Sequence, residues 1–177
     1  MVMRCLIMNG SQYEREFRSI LEAEQKILTK VTKSCSALET ENYHQIKKKP
    51  FAVIRAAGSF GVDLVAVRGD ISFLIEIKTS AEQTLHFSTM SGKLQQQADA
   101  MKQTCEKTAT LPIYAFRLKK FRGDSWRIFT FPMDSLSGRL RILHRRIPQL
   151  EKSKRGNYIM RWPEGMPLSE FISYLIR

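Results

Sequence analysis

Residues 63–78 read Asp63-Leu64-Val65-Ala66-Val67-Arg68-Gly69-Asp70-Ile71-Ser72-Phe73-Leu74-Ile75-Glu76-Ile77-Lys78. Two apolar runs flank Gly69-Asp70, a pair suited to a two-residue hairpin loop. With that loop Arg68 pairs with Ile71 and Val67 with Ser72, and counting outward sets Asp63 directly opposite Glu76. Opposed residues leave the same sheet face with Cβ atoms roughly 4.5–5.5 Å apart. Lys78, two residues beyond Glu76, shares that face. Leu64, Ala66, Phe73, Ile75 and Ile77 alternate onto the other face and supply core. The hairpin thus predicts a half-buried sheet that presents two acids and a lysine as one patch.

Such a patch suits phosphodiester cleavage. The scissile phosphate is anionic and repels a nucleophile, and a hard cation held by carboxylates neutralises it and acidifies water. A lysine beside it positions the attacking water or holds developing negative charge. Without a cation, two acids this close repel one another and one pKa rises. A solvated charge pair on a strand would give the same spacing. Here, however, Glu76 and Lys78 sit in the apolar strand Phe73-Leu74-Ile75, where burying acids costs several kcal/mol unless a cation or partner compensates.

Upstream, Tyr13, Phe17, Ile20, Leu21, Ile27, Leu28 and Val31 recur at helical steps over residues 11–31. Ser11 with Glu14 reads as a capping box that opens this helix. Residues 32–49 are polar, lose the period and end in Lys47-Lys48-Lys49-Pro50, either a helix extension or an inserted loop. Strands are expected at 51–55, 63–68, 71–79, 113–118 and 126–131, a helix at 91–107, a turn at Gly123-Asp124, and a short final helix at 168–176. This order predicts an α/β fold, a mixed sheet flanked by helices. The expected division is a core over 1–131, with an insertion near 26–49, and a basic C-terminal extension over 132–177 packed on it.

The chain has 177 residues and a formal charge of +12, an excess that attracts polyanions and makes nucleic acid the leading partner class. No apolar run approaches the roughly 18 residues of a membrane span, and the basic clusters follow no amphipathic helix. Cys5, Cys35 and Cys105 are scattered and odd in number, which favours reduced thiols and gives no case for zinc. His44, His86 and His144 are equally dispersed and read as surface or packing residues.

Four blocks resemble the archaeal Holliday junction resolvases of the Hjc type, within the PD-(D/E)XK nuclease superfamily. Gly10-Ser11-Gln12-Tyr13-Glu14-Arg15-Glu16 is similar to their G-x-x-x-E-R-E opening. Arg55-Ala56-Ala57-Gly58-Ser59-Phe60-Gly61-Val62-Asp63-Leu64-Val65-Ala66 is similar to their R-x-x-G-S-x-x-x-D-L-x-A block. Ile75-Glu76-Ile77-Lys78-Thr79-Ser80 resembles the catalytic E-x-K strand, and Gly156-Asn157-Tyr158 with Gly165-Met166-Pro167-Leu168-Ser169-Glu170 resembles the tail of crenarchaeal members.

The resemblance implies a restriction-endonuclease-like fold that cuts four-way junctions in recombination and repair. It implies Mg²⁺, with Mn²⁺ able to substitute, held by Asp63, Glu76 and the Ile77 carbonyl. Lys78 would be the catalytic lysine and Glu14 the helix-borne acid, a role that competes with its place in the capping box. Arg55 and Ser59 would lie at the scissile-strand phosphate. It further implies a two-fold homodimer, an archaeal or archaeal-virus host, and a cytoplasmic, nucleoid-associated enzyme without a small-molecule cofactor. Two departures bear on junction preference. The interval from Glu14 to Arg55 is long, with the surplus near 26–49, and residues 85–90 are less basic than in the family.

Arg139, Arg141, Arg145, Arg146, Lys152, Lys154 and Arg155 form the densest basic stretch, and Lys47, Lys48 and Lys49 a second. Phosphate contacts are their expected role, fixing position and not sequence. Met101, Phe129 and Phe131 are candidates for an exposed dimer interface. Two other readings stand beside the resolvase: a restriction-like or flap-cutting nuclease of the same fold, and a non-catalytic architectural DNA-binding protein.

Overall fold

The computed structural model describes residues 10–56, 61–88 and 92–177. Helix α1, Gly10–Leu21, buries Tyr13, Phe17, Ile20 and Leu21 along one stripe. The long helix expected over 11–31 is broken. Ala23 adopts a left-handed conformation (φ 60°), Glu24 N–H reaches back to the Ser19 carbonyl and Ala23 N–H to that of Ile20. These bonds close a helix in the manner usually served by glycine, and α2 restarts at Gln25–Val31. The expected capping box at Ser11 is also corrected. Helix α1 begins before Ser11, and Glu14 bonds Arg55.

A capping box does occur where α3, Ala37–His44, begins. Ser36 Oγ accepts from Glu39 N–H and Glu39 Oε2 from Ser36 N–H. A 3-10 turn at Gln45–Lys48 follows. The segment near 26–49 is therefore ordered structure whose Leu28, Tyr43 and Ile46 enter the core.

Strands β1 (Ala52–Arg55), β2 (Leu64–Arg68) and β3 (Ile71–Ser80) form an antiparallel run. After β4, Thr84–His86, helix α4, Lys93–Thr108, crosses back so that β5, Leu111–Leu118, lies parallel to β3. Strand β6, Trp126–Phe129, turns back antiparallel. The chain then forms α5, Gly138–His144, β7, Glu151–Lys152, and β8, Tyr158–Arg161. It ends with β9, Met166–Pro167, and α6, Leu168–Ile176. The sheet order β1-β2-β3-β5-β6-β9 is the mixed, helix-flanked sheet expected, and β4-β8-β7 is a smaller second sheet.

The C-terminal segment thus contributes a strand to the main sheet and two to the small one. Gly165 sets up that join. A Cβ there would lie 2.6 Å from the Phe129 ring and the Arg127 Cβ, so only glycine lets the chain approach β6.

One face of the main sheet receives α1 and α6, seen in the Phe17–Trp126 and Phe73–Phe171 ring pairs. On the other, Tyr114 of β5 packs against Phe87 and Phe131, and Phe131 against Tyr158 of β8. Each such pair adds about 0.5–1.5 kcal/mol beyond its buried area. Met101, Phe129 and Phe131 are all buried, which overturns their reading as an exposed interface. Strand β5 is buried on both faces, so its neighbours β6 and α4 direct their apolar residues inward. Cys35 and Cys105 are free, and His144 is a packing residue, its Nε2 2.6 Å from the Phe131 carbonyl.

Candidate active site

The β2–β3 ladder runs from Arg68↔Ile71 to Leu64↔Ile75, the register that the two-residue loop dictates. One step beyond, Asp63 N–H donates to the Ile75 carbonyl at 2.9 Å and Asp63 Oδ2 accepts from Ile77 N–H at 2.7 Å. The acid stands where a β2 main-chain partner would otherwise pair with Ile77. A strand residue's N–H and C=O share an edge, so the Ile77 carbonyl points to the edge where β2 has ended. Glu76, only 3% exposed, projects from the face of Asp63, and Lys78 Nζ donates to its Oε1 at 2.6 Å.

Burial pushes the Glu76 carboxyl up to about 6, aided by the charge of Asp63 and opposed by Lys78. Asp63 is raised too, by burial first, with the Ile77 N–H pulling it back. A carboxyl near 6 is still mostly ionised at neutral pH, so the patch carries negative charge that burial makes costly. Glu14 reaches the same neighbourhood from α1, and its charge raises both acids. Its Oε2 accepts from Arg55 Nη2 at 2.7 Å, which ties the helix to the end of β1 beside Asp63.

Asp63, Glu76 and Lys78 therefore come together as expected, with Glu14 and Arg55 at their border. Among the described residues no three His, Cys, Asp or Glu side chains converge as a ready-made metal cage. Among the described residues the donors available at the patch are carboxylates and a carbonyl, with no imidazole or thiolate. Oxygen ligands from one or two carboxylates, completed by water, suit Mg²⁺. Ser59 lies outside the described residues.

The basic residues divide by location. Arg55 and Lys78 stand at the acid end of the strands. Lys154 and Arg155 follow β7, in the small sheet whose Tyr158 N–H bonds Gln95 at the start of α4. Lys47, Lys48, Lys49, Arg139, Arg141, Arg145 and Arg146 belong to the opposite, hairpin end. There Arg68 bonds the Lys49 carbonyl, and Asp70 joins Arg68 to Arg139. Arg68 and Arg139 also both donate to the Leu175 carbonyl, so Arg139 serves to hold α6.

Two features were missed in the sequence. Tyr114 is the parallel partner of Glu76 and shares its face. Burial and the charges of Glu76 and Asp63 push its hydroxyl well above the usual range. Its register depends on the α4 crossover, which residue spacing does not encode. Glu16, 6% exposed, accepts from Arg117 Nε at 2.8 Å and Trp126 Nε1 at 3.2 Å. It anchors α1, and hence Glu14, to β5 and β6. Its place beside Glu14 in the E-R-E block was the available signal.

The family model described as archaeal Holliday junction resolvase (hjc) matches residues 30–177. The chain belongs to the archaeal Holliday junction resolvase family. The match includes Asp63, Glu76 and Lys78 and starts after Glu14. Family membership makes the chain a junction-resolving endonuclease of recombination and repair. Among solved structures it is similar to Archaeoglobus fulgidus Hjc, a Holliday junction resolvase from an archaeal hyperthermophile. Identity is 22% and the TM-score 0.47, covering 69% of this chain and 81% of that one. A search of curated proteins found no match.

Proposed function

We propose that Asp63, Glu76 and the Ile77 carbonyl hold Mg²⁺, or Mn²⁺ in its place, with Glu14 completing the site, and that Lys78 is the catalytic lysine. The observation that carries this reading is the end of the hairpin, where the Asp63 carboxylate accepts from Ile77 N–H beside Glu76 and Lys78 is bonded to Glu76. Bound there, the cation supplies positive charge to the scissile phosphate and acidifies water. The residues do the rest. Water attacks phosphorus in line, Lys78 holds the charge developing on the phosphoryl oxygens, and the products are a 5′-phosphate and a 3′-hydroxyl. Arg55, at the exposed border, grips the scissile-strand phosphate together with Ser59. Lys154 and Arg155 extend the phosphate contacts on this end of the molecule.

Resolution requires two symmetric nicks, and one site per chain then requires a two-fold homodimer. We place its interface on the apolar row Ile54, Val65 and Leu74, aligned across β1, β2 and β3 by their register. Ile54 is 60% exposed and nearby Val67 41%. A cavity of about 260 Å³ beside it is lined by Val62, Val65, Leu74 and three threonines, Thr104, Thr108 and Thr110. This row shares the face of Asp63 and Glu76, so a second copy seated on it brings two active sites to one side. The proposed setting is the cytoplasmic nucleoid; among the described residues no helix is long and apolar enough to cross a membrane.

The test is nicking of a labelled four-way junction beside its linear duplex, with Mg²⁺ or EDTA, by wild type and Asp63→Asn. Junction nicks lost in EDTA and in the variant are expected. Undiminished cutting by Asp63→Asn would refute the assignment.

A further inference from the structure

At the hairpin end, α5 and α6 enclose a groove of about 290 Å³ lined by Arg139, Ile142, Leu143, Arg146, Tyr174 and Arg177. Its floor is apolar, and Ile142 is 61% exposed, among the most exposed large hydrophobic residues described. Its rim is cationic. Arg139 is committed to Asp70 and the Leu175 carbonyl. Arg146 and Arg177 are held over the Tyr174 ring, at 4.6 and 5.4 Å from its centroid, and among the described residues neither pairs with an acid. The Tyr174 hydroxyl is turned away to Glu170. Among the described residues no acidic side chain lines the groove.

The groove is remote from the acids in two respects. Asp70 and Glu76 are six residues apart along β3 and its turn, about 20 Å at 3.3 Å per residue. Helix α6 also packs Phe171 on Phe73, whose face is opposite that of Glu76. Helix α6, which lines the groove, thus lies on the sheet face away from the acid patch, and a phosphate needs no exposed isoleucine between its cations.

We infer that this groove docks an acidic segment of another protein, an aliphatic side chain seated on Ile142 and Tyr174 and flanking carboxylates on Arg146 and Arg177. Guanidinium–carboxylate pairs around an apolar anchor are the arrangement in which interfaces concentrate their affinity. The preference for protein over DNA rests on the catalytic patch proposed above. A partner bound here would leave the junction-cutting surface free, so that the nuclease could be recruited while engaged on DNA.

The probes are two short fluorescein-labelled peptides of equal charge, one alternating Glu with Leu and the other Glu with Gly, titrated by anisotropy into the full chain. A labelled duplex and junction nicking are measured in parallel. The Glu-Leu peptide is expected to bind about tenfold more tightly, an advantage lost in Ile142→Ser. Arg177→Gln is expected to weaken both peptides several-fold, with duplex affinity and nicking unchanged. Equal binding of the two peptides, or Glu-Leu binding untouched by the variants, would overturn the proposal. Loss of duplex affinity in parallel with peptide affinity would assign the groove to nucleic acid instead. If wild type fails to nick the junction, the catalytic reading fails while the peptide result still stands.

Discussion

Asp124 ties the molecule together at a point remote in sequence from most of what it holds. It is 1% exposed, and its Oδ1 accepts from the Tyr43 hydroxyl of α3 at 2.7 Å and from Trp126 N–H at 3.2 Å. Its Oδ2 accepts from Ser169 N–H at 2.8 Å, in the first turn of α6. In Asp124→Asn the remaining oxygen still serves Tyr43 and Trp126, but an amide N–H₂ faces the Ser169 N–H. A buried donor is then left unsatisfied, at about 2 kcal/mol. Losing a negative charge at the α6 N-terminus adds a few tenths. For a chain of this size the sum lowers the melting temperature by roughly 4–8 °C. Tyr43→Phe removes one of the bonds and is expected to cost about 1 kcal/mol. Both are measured by thermal and urea unfolding at neutral pH, with junction nicking at low temperature as control. The described contacts of Asp124 include none of Glu14, Asp63, Glu76 or Lys78, so activity per folded molecule should persist. An Asp124→Asn protein as stable as wild type would refute this account of how α3, β6 and α6 are joined.

Lys78→Met should lower the nicking rate by about 10²–10³ while junction affinity in a gel-shift assay changes only a few-fold, as expected for loss of charge stabilisation in the transition state; a rate near wild type would remove Lys78 from the mechanism. Ile54→Glu with Val67→Glu should sediment as a monomer and yield unpaired nicks; an unchanged dimer would move the interface elsewhere. Asp70 is held below the usual carboxylate range by Arg68, and by Arg139 as well. Its ion pairs therefore contribute stability above the unfolded pKa of about 4, lost as pH falls through the lower folded value. Because the pairs are partly exposed, Asp70→Asn should cost at most about 1 kcal/mol at neutral pH. The cost should vanish in strong acid; a penalty independent of pH would point to packing.

The catalytic hairpin was legible because its loop has two residues and leaves one register, which fixes the pairs out to Leu64 with Ile75. Beyond them Asp63 bonds the Ile75 carbonyl and Ile77 N–H, which spacing alone does not give. Where spacing is not so constrained, the sequence was silent. The α4 crossover leaves the β3–β5 register open, so Tyr114 beside Glu76 could not be foreseen. The helix break at Ala23 carries no glycine or proline signal, since alanine there adopts the left-handed conformation. Strands β7 and β9 are two residues long, too short for alternation to show. Met101 of α4, Phe129 of β6 and Phe131 just after it were misplaced because an apolar side covered by the fold looks, in sequence, like one left exposed. The basic stretch at 139–146 was visible as charge, but its position at the hairpin end follows from tertiary contacts with Asp70 and Leu175.

The most direct test of the central claim is incision of a supercoiled plasmid carrying an extruded cruciform, followed over time with Mg²⁺. Paired cutting by Asp63–Glu76–Lys78 sites on a two-fold dimer predicts that linear product appears without accumulation of nicked circles, and that Glu76→Gln yields neither. Nicked circles that build up first and become linear only slowly would contradict paired resolution, and linear product from Glu76→Gln would contradict the site itself.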